Sequence, residues 1–271
     1  MDVAVVIPVF NQLNYTTACL ESLNNVGVAD RDIIVIDNGS TDGTPAFLAG
    51  RRGLRVISNA TNCGCSHAWN QGVEAAKASW TVVLNNDVLV APGWREGMLN
   101  FAEEKGCDIV SPAKCDGELD YDFQNFAGKF LATMGPASRP DCASGVCFMV
   151  HRRVFDKIGG FDEKLGRAGY EDDDFFRRAR AARFKLGTTG RAYLHHFGSV
   201  TQKSVKARAG TPNARLGDRE YFRKKHGLTA LKRRRESLME KMRSAFWRLN
   251  EKRRYGLTLA LQRHRGAWRY R

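Results

Sequence analysis

The chain opens on a continuous apolar run, Val3–Val9, broken only by Pro8. An unbroken run, rather than an alternating one, suits a strand buried on both faces of a parallel sheet. Leu13, Thr17, Leu20 and Leu23 follow at near-helical spacing. Asp32–Ile36 predicts a second buried strand that ends at Asp37, and Asn38–Gly43 carries turn chemistry before a helix start at Thr44–Ala49. Leu54–Ser58 predicts a third strand, His67–Ala78 a helix, and Trp80–Leu84 a fourth strand that ends in Asn85-Asn86-Asp87. Strands alternating with helices predict an α/β fold with a mostly parallel central sheet and helices on both faces. Ligands bind beyond the carboxyl ends of such strands. Asp37 and Asp87 both fall there and would meet in one crevice.

From about residue 107 the alternation weakens. Residues 116–142, rich in Gly, Asp, Phe and Pro, predict irregular structure or hairpins. Ser144–His151 predicts a strand, Arg153–Ile158 a short helix, Asp172–Arg183 an amphipathic helix and Ala192–His196 a further strand. Residues 201–217 are polar, with Gly210, Pro212 and Gly217, and predict a mobile loop. In the tail, Leu238, Met242, Ala245, Phe246 and Leu249 form one helical stripe, expected to pack on the rest of the protein. The expected division is a domain over 1–200, a loop or lid over 201–218 and a basic helical tail over 219–271.

Charge sharpens the last boundary. The 271 residues carry a net +14, and the tail alone holds 18 basic and 4 acidic residues, so residues 1–218 are neutral overall. Charge concentrated in this way speaks to a polyanionic partner rather than to fold. No apolar run is long enough to span a bilayer, and the N-terminus enters a strand at once, so no export signal is expected. The seven cysteines lack paired zinc-site spacing, so buried reduced thiols and a cytoplasmic location are expected.

Glu171-Asp172-Asp173-Asp174 is the run that calls for chemistry. Four adjacent carboxylates repel, although a helix N-terminus tolerates negative charge. Asp173 and Asp174 lie four residues before Arg177 and Arg178 and can pair with them along a helix. Glu171 and Asp172 have no such local partner, which marks them as functional candidates.

Seven segments then occur in one order: Val6–Asn11, Val35–Thr44, Asn62–Gly72, Leu84–Trp94, Ser144–Glu163, Glu171-Asp172 and His195–Ser199. In order and spacing this resembles the family 2 glycosyltransferases, inverting enzymes with a nucleotide-sugar-binding GT-A fold, over about residues 3–200. The resemblance implies Asp172 as catalytic base; Glu171 beside it would orient the acceptor or share the proton load through coupled titration. It implies donor contacts from Pro8, Phe10, Asp37, Asn62, Gly64, Asn70, Asn86 and Gly145. It also implies Mn²⁺ or Mg²⁺ held by Asp87 and His195. Here the family's Asp-x-Asp is Asn85-Asn86-Asp87, with one carboxylate, which suffices where the donor diphosphate and water complete the shell. His195 and His196 alternate across a strand, so only one of them can face the crevice.

The tail lies outside the resemblance. Its arginines, Arg233, Arg234 and Arg235 foremost, suit phosphate recognition, and the interleaved aromatics suit bases or a lipid interface. A DNA acceptor carrying hydroxymethylated bases is narrowly favoured on charge. The alternative acceptor is an envelope polysaccharide or lipid-linked glycan at an anionic membrane, with peripheral contact. A non-catalytic nucleotide-sugar or polyanion binder is the third reading.

Overall fold

The computed structural model of the chain describes residues 2–165, 169–198 and 214–271. The strands of these residues join one eleven-stranded sheet. β1 (Val3–Val9) lies between β2 (Ile33–Asp37) and β4 (Trp80–Leu84), and β3 (Arg55–Ser58) closes the edge beyond β2, all parallel. Beyond β4 the pairing reverses. β8 (Cys147–His151) runs antiparallel to both β4 and β6 (Ile109–Gly117). β5 (Val88–Val90) and β7 (Ser138–Pro140) run antiparallel to β9 (Leu186–His196). The sheet is therefore mixed rather than mostly parallel. The apolar runs predict burial, and β2 and β4 are indeed buried throughout, but burial on both faces does not fix strand direction.

The helices cover both faces. α1 (Leu13–Asn25) and α4 (Trp94–Lys105) build one core layer, in which Leu20, Leu23, Trp94 and Met98 meet β1, β2 and β4. α3 (Cys65–Ala76), α6 (Arg152–Ile158) and α7 (Glu171–Ala181) build the other, where Trp69, Phe148, Phe161 and Phe175 pack edge to face or tilted. Gly72 lets α3 seat closely on the sheet, because a Cβ there would overlap Val6 and lie 2.8 Å from Ile36 Cδ1. The shorter α2 spans Thr44–Ala49.

Residues 116–142 are more regular than expected. Asp122 caps α5 (Phe123–Met134) by accepting from the Asn125 N–H at 3.1 Å. Phe123, Ala127, Phe130 and Met134 form its buried face.

The tail is helical, as expected, but it also returns to the sheet. After α8 (Ala214–Lys225) and α9 (Ala230–Tyr255), the chain returns as β10 (Ala260–His264), parallel to β6, and β11 (Ala267–Tyr270), antiparallel to β10. Leu259 and Leu261 join the core formed by α5 and Tyr193. A boundary at residue 219 thus cuts through one sheet and one core. The expected loop over 201–218 lies outside the described residues up to 213, and residues 214–218 begin α8. Of the seven thiols, all free, Cys19, Cys107, Cys115 and Cys147 are buried, whereas Cys63 is exposed.

Candidate active site

The carboxyl ends of β1, β2 and β4 form one edge, as their register requires. Val9 pairs with Asp37, and the Asn38 N–H donates to the Val9 carbonyl at 2.8 Å. Pro8 and Phe10 lie at this edge and are half-buried. Asp37 is buried and accepts from the Ser40 N–H at 3.0 Å, so one of its oxygens shapes the turn. Asn11 pins the same turn, accepting from Thr41 N–H at 2.7 Å, while its own side-chain amide nitrogen is buried without a partner.

Asn62 accepts from Asn38 at 3.0 Å and from the Gly64 N–H at 3.0 Å, so it braces the approach to α3. Gly64 precedes that helix at φ 89, a conformation glycine adopts without strain. Two expected donor contacts point elsewhere. Asn70 clamps the turn before α7: it donates to Phe161 O and Glu163 Oε1, both at 2.9 Å, and accepts from Phe161 N–H at 2.8 Å. Asn86 is buried against α1 and donates to Thr16 Oγ1 at 3.0 Å. Sequence shows that an Asn is polar, but not which neighbour uses its amide.

The histidine expectation is corrected. His195 faces the core: its Nδ1 lies 2.9 Å from Tyr121 Oη, and burial pushes it down to about 4, so it is a neutral ring. His196 is the one that reaches Asp87, Nε2 to Oδ1 at 3.4 Å, and its Nδ1 lies 2.7 Å from Asp116 Oδ1. Burial opposes charge on His196, but the hydrogen bonds to Asp116 and Asp87 outweigh it and raise its pKa. Asp116 is in turn held by Lys114 Nζ at 2.8 and 2.9 Å. Sequence reasoning passed over Asp116 and Lys114. Their signal was position, two alternate residues at the carboxyl end of β6, the second of them at the start of a stretch read as irregular.

This set fits a divalent cation in part. An imidazole nitrogen and a carboxylate oxygen converge, and a second carboxylate behind the ring fixes its tautomer, the usual support for a ligating histidine. Among the described residues no three such side chains form a closed cage. The pair therefore suits an ion whose remaining ligands come from a diphosphate and water.

Glu171 and Asp172 open α7. Tyr170 precedes them at φ 80, an αL conformation costly for a non-glycine residue, and its ring stacks on Phe222 of α8 at 5.1 Å. Asp174 is fully buried and satisfied by Arg178 at 2.7 Å, Lys225 at 2.7 Å and His226 at 2.8 Å. Arg177 pairs with Glu236 of α9 at 2.9 Å, so the expected Asp173–Arg177 pair is replaced by a long-range one.

Asp172 Oδ1 accepts from the Asp173 N–H at 2.9 Å. Its other oxygen lies against Gly145, where a Cβ would overlap it. Burial raises the Asp172 carboxyl, while the Asp173 and Gly145 N–H groups and the Lys114 charge pull it back. Glu171 is 6% exposed with one carboxyl oxygen unpartnered, and burial, aided by Asp172, pushes it up to about 8. A neutral Glu171 leaves the negative charge of the pair on Asp172.

This has a measurable consequence. Because Glu171 is raised above its ordinary 4.5, the folded state holds a proton that the unfolded chain releases. That stability is present below about 4.5 and lost as the pH rises toward and through about 8. Glu171→Gln is therefore expected to unfold with the parent at low pH. Above about pH 5 its advantage should grow by up to about 1.4 kcal/mol per unit and level off past pH 8. An advantage of Glu171→Gln over the parent that is the same at pH 5 and pH 8 would refute a neutral Glu171.

The profile described as Glycosyl transferase family 2 matches residues 4–159, more than half the chain, and one described as N-terminal domain of galactosyltransferase matches residues 129–200. The protein belongs to glycosyl transferase family 2, and its fold is GT-A. It is 25% identical over 231 residues to the uncharacterized protein y4gI of Sinorhizobium fredii, covering 74% of this chain and 25% of that protein. It is 23% identical over 240 residues to the glycosyltransferase AglE of Haloferax volcanii, covering 82% and 77%. Among solved structures it is similar to GalNAc-T7 with UDP, GalNAc and Mn²⁺, at TM-score 0.58 and 15% identity, covering 72% of this chain and 44% of that one. S. aureus TarS 1-349 in complex with UDP-GlcNAc gives TM-score 0.56 and 18% identity, covering 72% and 58%. The chain thus spans a quarter of y4gI and under half of the GalNAc-T7 chain.

Proposed function

We propose that the protein is an inverting glycosyltransferase that moves a sugar from a nucleotide-sugar to an acceptor hydroxyl. One arrangement carries this reading: a polar track runs Asp87–His196–Asp116–Lys114, and the Lys114 charge is felt at Asp172. A pole suited to a diphosphate and its ion is thereby linked to a half-buried carboxylate suited to taking a proton.

In this mechanism Asp37 contacts the donor base at the β2 edge, and Gly64 permits close backbone approach. Asp87 and His196 would hold Mn²⁺ or Mg²⁺, which stabilises a leaving diphosphate when bound. Asp116 fixes the His196 ring. Asp172, ionised and held by two backbone N–H groups, takes the acceptor proton as oxygen attacks the anomeric carbon. Glu171, neutral, donates a hydrogen bond that orients the acceptor.

The test is calorimetry with nucleoside diphosphate, with and without Mn²⁺. Asp87→Ala and His196→Ala should each lose the Mn²⁺-dependent gain in affinity, whereas His195→Ala should keep it. Wild-type enhancement in the first two would remove the metal assignment.

Two acceptor classes suit a tail of this charge. Charge alone narrowly favours hydroxymethylated bases in DNA. The exposed apolar side chains of α9 favour a glycan carried at an anionic membrane, and we take that as the acceptor.

A further inference from the structure

The stripe expected to pack inward faces solvent. Leu231, Leu238, Met242, Phe246 and Leu249 are 59–78% exposed. Single exposed apolar residues are ordinary; five recurring at helical spacing along one face of α9 are not.

The opposite face explains why the stripe points outward. Glu236 binds Arg177, and Glu251 binds Arg139 at 2.7 and 2.8 Å and accepts from the Leu259 N–H. Trp247 lies between Arg139 and Arg243, 5.5 and 4.9 Å from its ring. The body of the protein therefore takes up two of the helix's three glutamates, together with its tryptophan. Its ten basic residues are left to dominate the remaining surface. On the helix wheel Arg235 falls within the stripe, Lys232 borders it on one side, and Arg234, Lys241, Arg248 and Lys252 border it on the other, whereas Arg243 turns toward Trp247 and pairs with Asp141. The three-arginine cluster is also split: Arg233 is half-buried, whereas Arg234 and Arg235 are exposed.

We infer that the outer face of α9 docks on an anionic membrane, with the stripe at the acyl boundary and the basic edges at lipid phosphates. A helix with an apolar face between basic edges has the charge and shape of an interfacial helix lying in the membrane plane. Duplex DNA offers phosphates but nothing to cover five large apolar side chains. A second copy would cover the stripe but would set basic edge against basic edge. The Arg177–Glu236 pair joins α9 to the helix that bears Asp172, so docking would bring that helix toward the surface. Only the nature of the acceptor rests on the proposed transfer; binding itself requires none.

The test is co-flotation of the full chain with vesicles of phosphatidylcholine and phosphatidylglycerol, against phosphatidylcholine alone. The chain should float with the anionic vesicles. Met242→Asp with Phe246→Asp, both at exposed positions, should lower partitioning by about tenfold or more with unfolding temperature unchanged. Lys241→Ser with Arg248→Ser should lower the preference for anionic lipid. Absence of flotation in the parent, or equal flotation of the Asp variant, would overturn the proposal. So would a stripe whose replacement abolishes self-association or DNA binding in place of vesicle binding. Donor turnover measured without vesicles keeps the two ideas apart. Turnover without flotation sinks the docking alone, and flotation without turnover sinks the transferase reading alone.

Discussion

Asp172→Asn is expected to lower transfer by about 10²–10⁴-fold while leaving nucleotide affinity nearly unchanged. The amide keeps the shape of the side chain and its one oxygen can still accept from the Asp173 N–H, but its NH2 cannot accept from Gly145 and it cannot take a proton. Glu171 does not replace it, because burial holds that carboxyl near 8 and therefore neutral. Glu171→Gln should consequently lose far less activity than Asp172→Asn. The parent's rate should fall on acidification through a pKa above the ordinary 3.8 of an Asp, since burial raises Asp172. That limb should be absent from any residual activity of the Asn variant. Single-turnover rates across the pH range would check both statements, and near-parental turnover by Asp172→Asn would remove it from the chemistry.

Gly145→Ala is expected to be nearly as damaging, although it adds one methyl group and removes no functional group. The new Cβ would occupy the space of the Asp172 carboxylate, so either the side chain or the backbone leading into β8 must move. A displacement of about 1 Å at a reacting group costs about 10²-fold in rate. Nucleotide binding, set mainly at the β1, β2 and β4 edge, should survive. Turnover measured alongside thermal unfolding separates a moved base from a lost fold. A folded variant with parental turnover would show that Asp172 need not occupy that position.

The two predictions rest on features that were legible to different degrees. The apolar runs of β1, β2 and β4 placed Asp37 and Asp87 at strand ends, because a buried strand leaves little choice of where its polar terminus emerges. Strand alternation established that one of His195 and His196 faces the crevice, but parity alone does not say which. The pairing of Val88 with His196 and the contact with Asp87 decide it. Asn70 and Asn86 were misread because an amide serves a turn or a helix as readily as a ligand. α5 was overlooked although its signals were present, an Asp cap followed by Phe123, Ala127, Phe130 and Met134 at helical spacing. β10 was hidden by the basic tail around it, yet Leu257, Leu259 and Leu261 alternate as a strand does.

The stripe on α9 was seen in the sequence and assigned the wrong environment. Periodicity gives the angular position of a face, not what covers it. Here Glu236, Trp247 and Glu251 hold the opposite face against the protein, and two of them are charged residues that a sequence reading would leave in water. The ion pairs that decide the orientation join residues 59 and 112 positions apart, a separation at which local pattern carries no information.

The central claim is a single displacement at the anomeric carbon with Asp172 as base. Its most direct test is the configuration of the first product formed from an α-linked nucleotide-sugar panel with Mn²⁺, read by NMR before mutarotation. Water can serve as the acceptor where no better one is known. The account predicts a β-configured product from the parent and a strongly reduced rate from Asp172→Asn. An α-configured product, or turnover that survives the loss of Asp172, would contradict it.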